Sequence, residues 1–309
     1  VNALADALAR RLARLPGATT CFRWVDEELP GVTVDLFDDV AVLSFYRSAS
    51  ATEELQLAEA LAACRSLRAV YVKRRPREAR KVANERPEDL APPTPILGEA
   101  IEAFTAQEQG LQFEVRPGNG LSVGLYLDAR DARAWVRANA RGRRVLNTFA
   151  YTCGFGVAAR LGGAARAVNV DLSRKVLDWG EANLRHNGLA PDRFDFIAGD
   201  TFEWLGRLGK KGEQFDLVVL DPPGFAGAGK RRFSAQGDYH ALVSAAAGVL
   251  APGGQLLAMC NVEALGLRDF EAHLARGFGA RRAKQVASFG ASDADFRQPA
   301  ALKCLVYEA

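Results

Sequence analysis

The run FDLVVLDPPGFAGAGKRR, residues 215–232, sets the architecture of this chain. Its opening, FDLVVL, is dominated by branched apolar residues, the pattern of a strand covered on both faces and so of a parallel sheet flanked by helices. The strand stops on Asp221, two prolines and a glycine. In open α/β sheets the residues just past the carboxyl ends of the strands face the ligand crevice. Asp221 is therefore expected in that crevice, with Lys230, Arg231 and Arg232 on a glycine-loosened loop at its mouth.

The same strand texture recurs on either side. From residue 143 the chain reads RVLNTFAY, AVNVD, FDFIAGD, FDLVVLD and GQLLAMCN, with helical stretches between them. This alternation predicts a doubly wound, Rossmann-like α/β sheet, mostly parallel. ARRAKQVASF and ALKCLVYE are expected to add an antiparallel pair at one edge. Upstream, VTVDLF, VAVLSFY and AVYVKR surround one helical stretch, TEELQLAEALAACRSL, whose threonine starts a partial capping box. That is a small α+β domain. Four prolines in RPEDLAPPTPILG mark an extended linker, and LQFEVRPGNGLSVGLYLD reads as a hairpin about Pro-Gly-Asn-Gly. The first fifteen residues place Leu4, Leu8, Leu12 and Leu15 on one helical face. The expected organisation is an amphipathic helix over 1–19, the α+β domain over 20–85, the linker over 86–109, and the hairpin with the doubly wound domain over 110–309.

Composition narrows the class. The 309 residues exceed one typical domain, and 40 basic against 37 acidic residues leave a net charge of only +3. The basic segment YVKRRPREARKV, residues 71–82, is either a solvated face or an RNA-phosphate contact. Five scattered cysteines without a CxxC pair suggest neither a disulfide framework nor a zinc site, which fits a cytoplasmic protein. The three histidines share no ligand spacing, so no metal is expected, and no apolar block is long enough for a membrane span.

The chemistry gathers at the strand ends. GFGVAA, opening at Gly154, satisfies G-x-G-x-x-A, and Asp171 follows at the end of the second strand. Glycines there let backbone approach a ligand, and the carboxylate can take both ribose hydroxyls. Those features suit a nicotinamide or an S-adenosylmethionine (SAM) enzyme equally, and a plain strand-to-helix turn is the bland alternative. Asp200 closes the third strand, within reach of an adenine amino group, and Asp221 with Pro222 and Pro223 closes the fourth. A rigid acidic turn at that point favours SAM, because a target nucleophile must be clamped beside the methyl.

Taken together, EQGLQFEV, GLYLDARDAR, RVLNTFAYTCGFGVAA, VNVDLSRKVLDWGEANLRHNGL, FDLVVLDPPGF and GGQLLAMCN resemble the class I SAM-dependent methyltransferases of large-subunit (23S) ribosomal RNA, a family with cytosine-C5 and guanine-N7 members. LPGVTVDLFDDVAVLSFY resembles the central domain of the same family. The resemblance implies SAM as cofactor and RNA as partner. It implies that Thr152, Gly154 and Phe155 line the methionine and ribose side, Asp171 the ribose and Asp200 the adenine. Tyr126, Asp128 and Arg130 match the family's YLDQR segment and would close over the methionine carboxylate. Asp221, Pro222 and Pro223 would position the base, and Phe225 would offer a stacking face. The family's PUA-type RNA-binding domain has no counterpart in these residues, so RNA affinity is expected from elsewhere or from a partner. Where the family reads Tyr-Thr-Gly-Gly-Phe, this chain has Cys153, expected to be a small loop residue rather than a nucleophile.

The reaction turns on one residue of register. Cytosine C5 is a poor nucleophile, and its methylation needs a cysteine thiolate added at C6. Family members of that kind carry the cysteine seven residues beyond a Gly-Gly pair; here the seventh position after Gly254 is Asn261, and Cys260 is the sixth. Side chains alternate along a strand, so the thiol is expected on the other face. Guanine N7 has an in-plane lone pair and needs only alignment. The expectation is RNA base methylation by in-line transfer without metal, guanine N7 favoured. Cytosine-C5 methylation through Cys260 and a silent RNA- or ribosome-binding protein are the alternatives.

Overall fold

The structure, a computed structural model, describes residues 2–75, 86–228 and 231–309, and divides into two compact units. The first unit holds the chain up to Leu127 together with residues Ser292–Gln298. It begins with α1 (Asn2–Leu12), which buries Leu4, Ala7 and Leu8 but leaves Leu12 exposed. Strands β1 (Cys21–Val25), β2 (Val32–Phe37), β3 (Val40–Phe45), β4 (Ala69–Arg74) and the two-residue β5 (Leu97–Gly98) form one sheet in sequence order. β3 and β4 run parallel because α2 (Ala51–Cys64) crosses over between them. α2 is capped by Ser50, whose hydroxyl accepts from Glu53 N at 3.2 Å, and not by Thr52. The Ser-x-x-Glu spacing was the better capping signal.

The linker contains one turn of helix, α3 (Pro87–Leu90). The hairpin falls earlier than Pro-Gly-Asn-Gly suggests: β6 (Phe104–Glu108) and β7 (Leu111–Val115) turn at Gln109 and Gly110, both with positive φ. Two such residues give the turn whose twist matches the strands. The segment Ser292–Gln298 returns to this unit through specific bonds. Arg23 N donates to Asp295 Oδ2 at 2.9 Å, Arg297 N donates to Asp26 Oδ2 at 3.0 Å, and the Arg23 guanidinium lies 4.9 Å from the centre of the Phe296 ring.

The basic end of β4 is spent internally. Lys73 is fully buried and donates to Pro117 O at 2.6 Å, while Arg74 grips buried Glu54 with two 2.6 Å bonds. Arg75 donates to Leu121 O at 2.5 Å. Burial, helped by the Arg75 charge, pushes the Lys73 ammonium down to about 8. Residues 76–85, which carry the rest of that basic run, lie outside the described residues.

The second unit contains α4 (Arg130–Asn139), then β8 (Arg144–Thr148), α5 (Gly154–Leu161), β9 (Arg166–Asp171), α6 (Arg174–His186), β10 (Phe196–Ala198), α7 (Thr201–Lys210) and β11 (Phe215–Leu220). A small hairpin, β12 (Phe225–Ala228) with β13 (Arg231–Ser234), leads into α8 (Ala235–Ala247). The chain then forms β14 (Leu250–Cys260), α9 (Leu267–Phe278), β15 (Lys284–Phe289) and β16 (Lys303–Glu308). The sheet order is β10-β9-β8-β11-β14-β16-β15, the first five strands parallel and the last two antiparallel at the edge. This is the predicted doubly wound sheet. The strand order reverses between β8 and β11, which puts the ligand crevice at the carboxyl ends of those strands. β11 is buried from Leu217 to Leu220, as its branched run requires. Among the described residues no helix is long and apolar enough to cross a membrane.

Candidate active site

The turn after β8 is tightly wound. Phe149, Tyr151 and Cys153 take left-handed φ values of 52°, 48° and 59°, which cost L residues about 1–2 kcal/mol each unless other contacts hold them. Those contacts are visible. Tyr151 N donates to Asp171 Oδ2 at 2.8 Å, and Asn183 of α6 donates to Thr152 O at 2.9 Å. Ser173 N donates to the other Asp171 oxygen at 2.9 Å. Glycine is required twice beneath the turn: a Cβ at Gly156 would lie 2.2 Å from Asn169 Oδ1, and one at Gly180 would lie 2.3 Å from Cys153 Sγ. Cys153 is buried against α6 and burial pushes its thiol up, so it fills space as expected of a loop residue.

The predicted cofactor residues fall as follows. Thr152 and Phe155 are buried in and just after this turn, Gly154 opens α5, and Asp171 ends β9. Asp200 caps α7, its Oδ1 accepting from Glu203 N at 3.0 Å, so its carboxylate has a structural duty that a strand-end reading overlooks. Tyr126 belongs to the first unit, where its hydroxyl lies 2.7 Å from that of Ser122, and Arg130 opens α4 of the second unit, fully buried.

The other half of the strand edge carries Asp221. Burial first, and the Asp128 charge second, push its carboxyl up to about 7, while Arg133 opposes. Arg133 was not anticipated, although it follows Arg130 by one helical turn and so shares its face. Pro222 is buried, Pro223 is exposed, and Phe225 stands 78% exposed at the start of β12. The hairpin that holds Phe225 is anchored by Phe233, whose ring centre lies 6.4 Å from Phe149 and 5.8 Å from Phe202. That aromatic link joins the β8 turn to the loop after Asp221. Lys230 lies outside the described residues; Arg232 is exposed.

Across the crevice end, β14 delivers two neighbours to different surroundings. Asn261 is exposed just past the strand. Cys260 is buried with Leu256 and Ala258 among residues of α8 and α9, and burial pushes its thiol up against the pull of the Val262 amide and Lys303. The two strand ends come close: a Cβ at Gly224 would lie 3.1 Å from Val262 Cγ2.

A parallel sheet with a glycine-dependent turn at its reversal point, an acidic residue ending the next strand and an Asp-Pro-Pro turn opposite defines a Rossmann-like methyltransferase. The chain belongs to the S-adenosylmethionine-dependent methyltransferase family, whose profile matches residues 12–305. It is similar to Ribosomal RNA large subunit methyltransferase I of Photobacterium profundum, 36% identical over 261 residues, covering 83% of this chain and 63% of that protein. The protein of that name from Aeromonas salmonicida is 37% identical, over 74% of this chain and 57% of its own length. The chain thus spans about three fifths of the length of these curated relatives. In fold it matches the crystal structure of SMU.776 complexed with SAH, with TM-score 0.84 and 24% identity over 99% of this chain and 81% of that one.

The residues present fit SAM. After the two amides are counted, each Asp171 oxygen keeps a lone pair, enough for the two hydroxyls of a ribose.

Proposed function

We propose that this chain methylates a base of large-subunit ribosomal RNA, at guanine N7. What supports the base is the contrast at the end of β14, where Asn261 is exposed while the Cys260 thiol is buried among the helices and held protonated. A thiol so placed is a poor nucleophile. What supports ribosomal RNA is the similarity of most of this chain to proteins named Ribosomal RNA large subunit methyltransferase I. Five free cysteines suit a reducing cytoplasm.

Bound SAM supplies an electrophilic methyl group on a sulfonium. Asp171 would hold its ribose, and the turn at Thr152 to Phe155 would line its methionine and ribose side. The protein's remaining task is to align a lone pair with that methyl, which is positioning rather than covalent chemistry. Pro222 and Pro223 fix the backbone after Asp221. Phe225 would stack on the base, and the Asn261 amide would orient its edge. Lys230, Arg231 and Arg232 would neutralise phosphates.

The test is transfer of labelled methyl from SAM into large-subunit RNA taken from a strain lacking the protein, with the modified nucleoside identified by mass spectrometry. 7-Methylguanosine is the expected product. 5-Methylcytidine would move the reaction to Cys260, and no incorporation would leave only a silent binding protein.

A further inference from the structure

The Asp221 turn and Asn261 belong to different strands, and their separation must be held by something. The parallel ladder between β11 and β14 has its last pair at Leu220 and Ala258. One residue further along β14, a side chain from outside the sheet takes over. Tyr239, in the second turn of α8, is fully buried, with its hydroxyl 2.7 Å from Met259 O and 3.3 Å from Leu220 O. A phenol has a single proton, so the short bond to Met259 is the principal one and Leu220 shares it. Leu220 immediately precedes Asp221, and Met259 precedes Cys260 and Asn261.

The ring is fixed as firmly as the hydroxyl. Phe270 of α9 meets it edge-on, centres 4.8 Å apart at 86°. The helix that carries Tyr239 is also stitched to the Asp221 turn, because Ala235 N donates to Gly224 O at 2.9 Å. Burial keeps the phenol well above its ordinary range of ionisation, so it remains a neutral donor.

We propose that Tyr239 is a positioning residue for methyl transfer, its hydroxyl setting the spacing between the Asp221 turn and Asn261. This rests on the reading of the site given above. The bond lies wholly on the β11–β14 side, whereas the turn and carboxylate assigned to SAM lie on β8 and β9. Alignment of the reacting groups is thereby separated from cofactor binding. Misplacement of reacting groups by about 1 Å can cost on the order of a hundredfold in rate.

The experiment compares the wild-type chain with Tyr239→Phe, which removes only the hydroxyl, and with Phe270→Leu, which keeps the hydroxyl but loosens the ring. SAM affinity, melting temperature, and kcat and KM for RNA are measured on each. Tyr239→Phe is expected to bind SAM within about twofold of wild type while kcat falls roughly ten- to a hundredfold and KM for RNA stays nearly constant. Phe270→Leu is expected to show a smaller fall of the same kind, and it carries the test should Tyr239→Phe not fold. A lower melting temperature with wild-type kcat, in whichever variant folds, makes the contact merely structural and overturns the proposal. A wild-type protein that methylates no RNA overturns the reading of the reaction, and the positioning role falls with it.

Discussion

The two halves of the crevice edge are built by different means. On the β8–β9 side the geometry is set by backbone: left-handed residues 149, 151 and 153, amides held by Asp171, and glycines at 156 and 180 that admit no side chain. On the β11–β14 side it is set by side chains: Tyr239 across the strand ends, Phe233 under the hairpin, Asp221 at an altered acidity, and Phe225 and Asn261 exposed. A backbone-built pocket suits a ligand that never varies. A side-chain-built one can be retuned residue by residue.

The largest expected effect lies on the backbone-built side. Asp171 both braces the turn and would bind the ribose, so Asp171→Ala should weaken SAM binding about ten- to a hundredfold, at roughly 1.5–3 kcal/mol per charge-assisted bond. It should also lower the melting temperature of the free protein, because Tyr151 N and Ser173 N lose their acceptor. Asp171→Asn keeps one acceptor oxygen and should fall between. Calorimetry on both variants checks this, and unchanged affinity would remove Asp171 from the cofactor site.

On the other side the expected effect is a pH dependence. The Asp221 carboxyl is raised from 3.8 to about 7 in the fold, so the native state holds its proton more tightly than the unfolded chain does. The resulting stability is fully present below about 4 and is lost as pH rises through about 7. Urea melts at pH 5.5 and 8 should show the wild type weakening, whereas Asp221→Asn should be flat and, at pH 8, more stable by about 2 kcal/mol. Methyl transfer should move the opposite way and drop in the variant. Equal pH slopes would mean that another group governs the titration.

The same division marks what the sequence discloses. The five parallel strands and the antiparallel edge pair were legible because branched apolar runs alternate with helical stretches, and β9, β10 and β11 end on or beside an aspartate or glycine, signals that are local. Asp171 and Asp221 could be found as strand-end acids. Asp200 also follows a strand and at the same time caps α7, a role that the Asp-x-x-Glu spacing at 200–203 signals locally. Tyr239 gave no sign, because a tyrosine in an apolar helical stripe looks like any core residue until its hydroxyl is seen to bridge two carbonyls. The return of Ser292–Gln298 to the first unit was equally hidden, being a contact of residues some 270 positions apart with no local pattern.

A smaller effect is expected at β14. Cys260 is buried among α8 and α9 residues, so Cys260→Ser should cost some stability but leave the rate of methyl transfer within about tenfold. Removing a covalent nucleophile costs far more. RNA containing 5-fluorocytosine provides the sharper measurement: no stable adduct is expected, and an adduct that disappears only in Cys260→Ser would establish the cytosine-C5 route. Asn261→Ala should be the more damaging of the two changes, since its amide lies on the exposed side of the strand end.

The smallest expected effect compares two basic positions that look alike in sequence. Arg232 is exposed on β13, whereas Lys73 is fully buried with its ammonium on Pro117 O. Only a cation that reaches solvent can release a counterion from RNA, and each phosphate contact contributes roughly 0.7 to the slope of log affinity against log salt for a single strand. Arg232→Gln should therefore flatten that slope by about one unit or less and weaken binding only a few-fold. Lys73→Met should leave the slope untouched, because the charge it removes faces inward. Filter binding over a salt series distinguishes them. A flatter slope for Lys73→Met would mean that the end of β4 opens to let its cations meet RNA, and the division between internal and RNA-facing charge would then have to be redrawn.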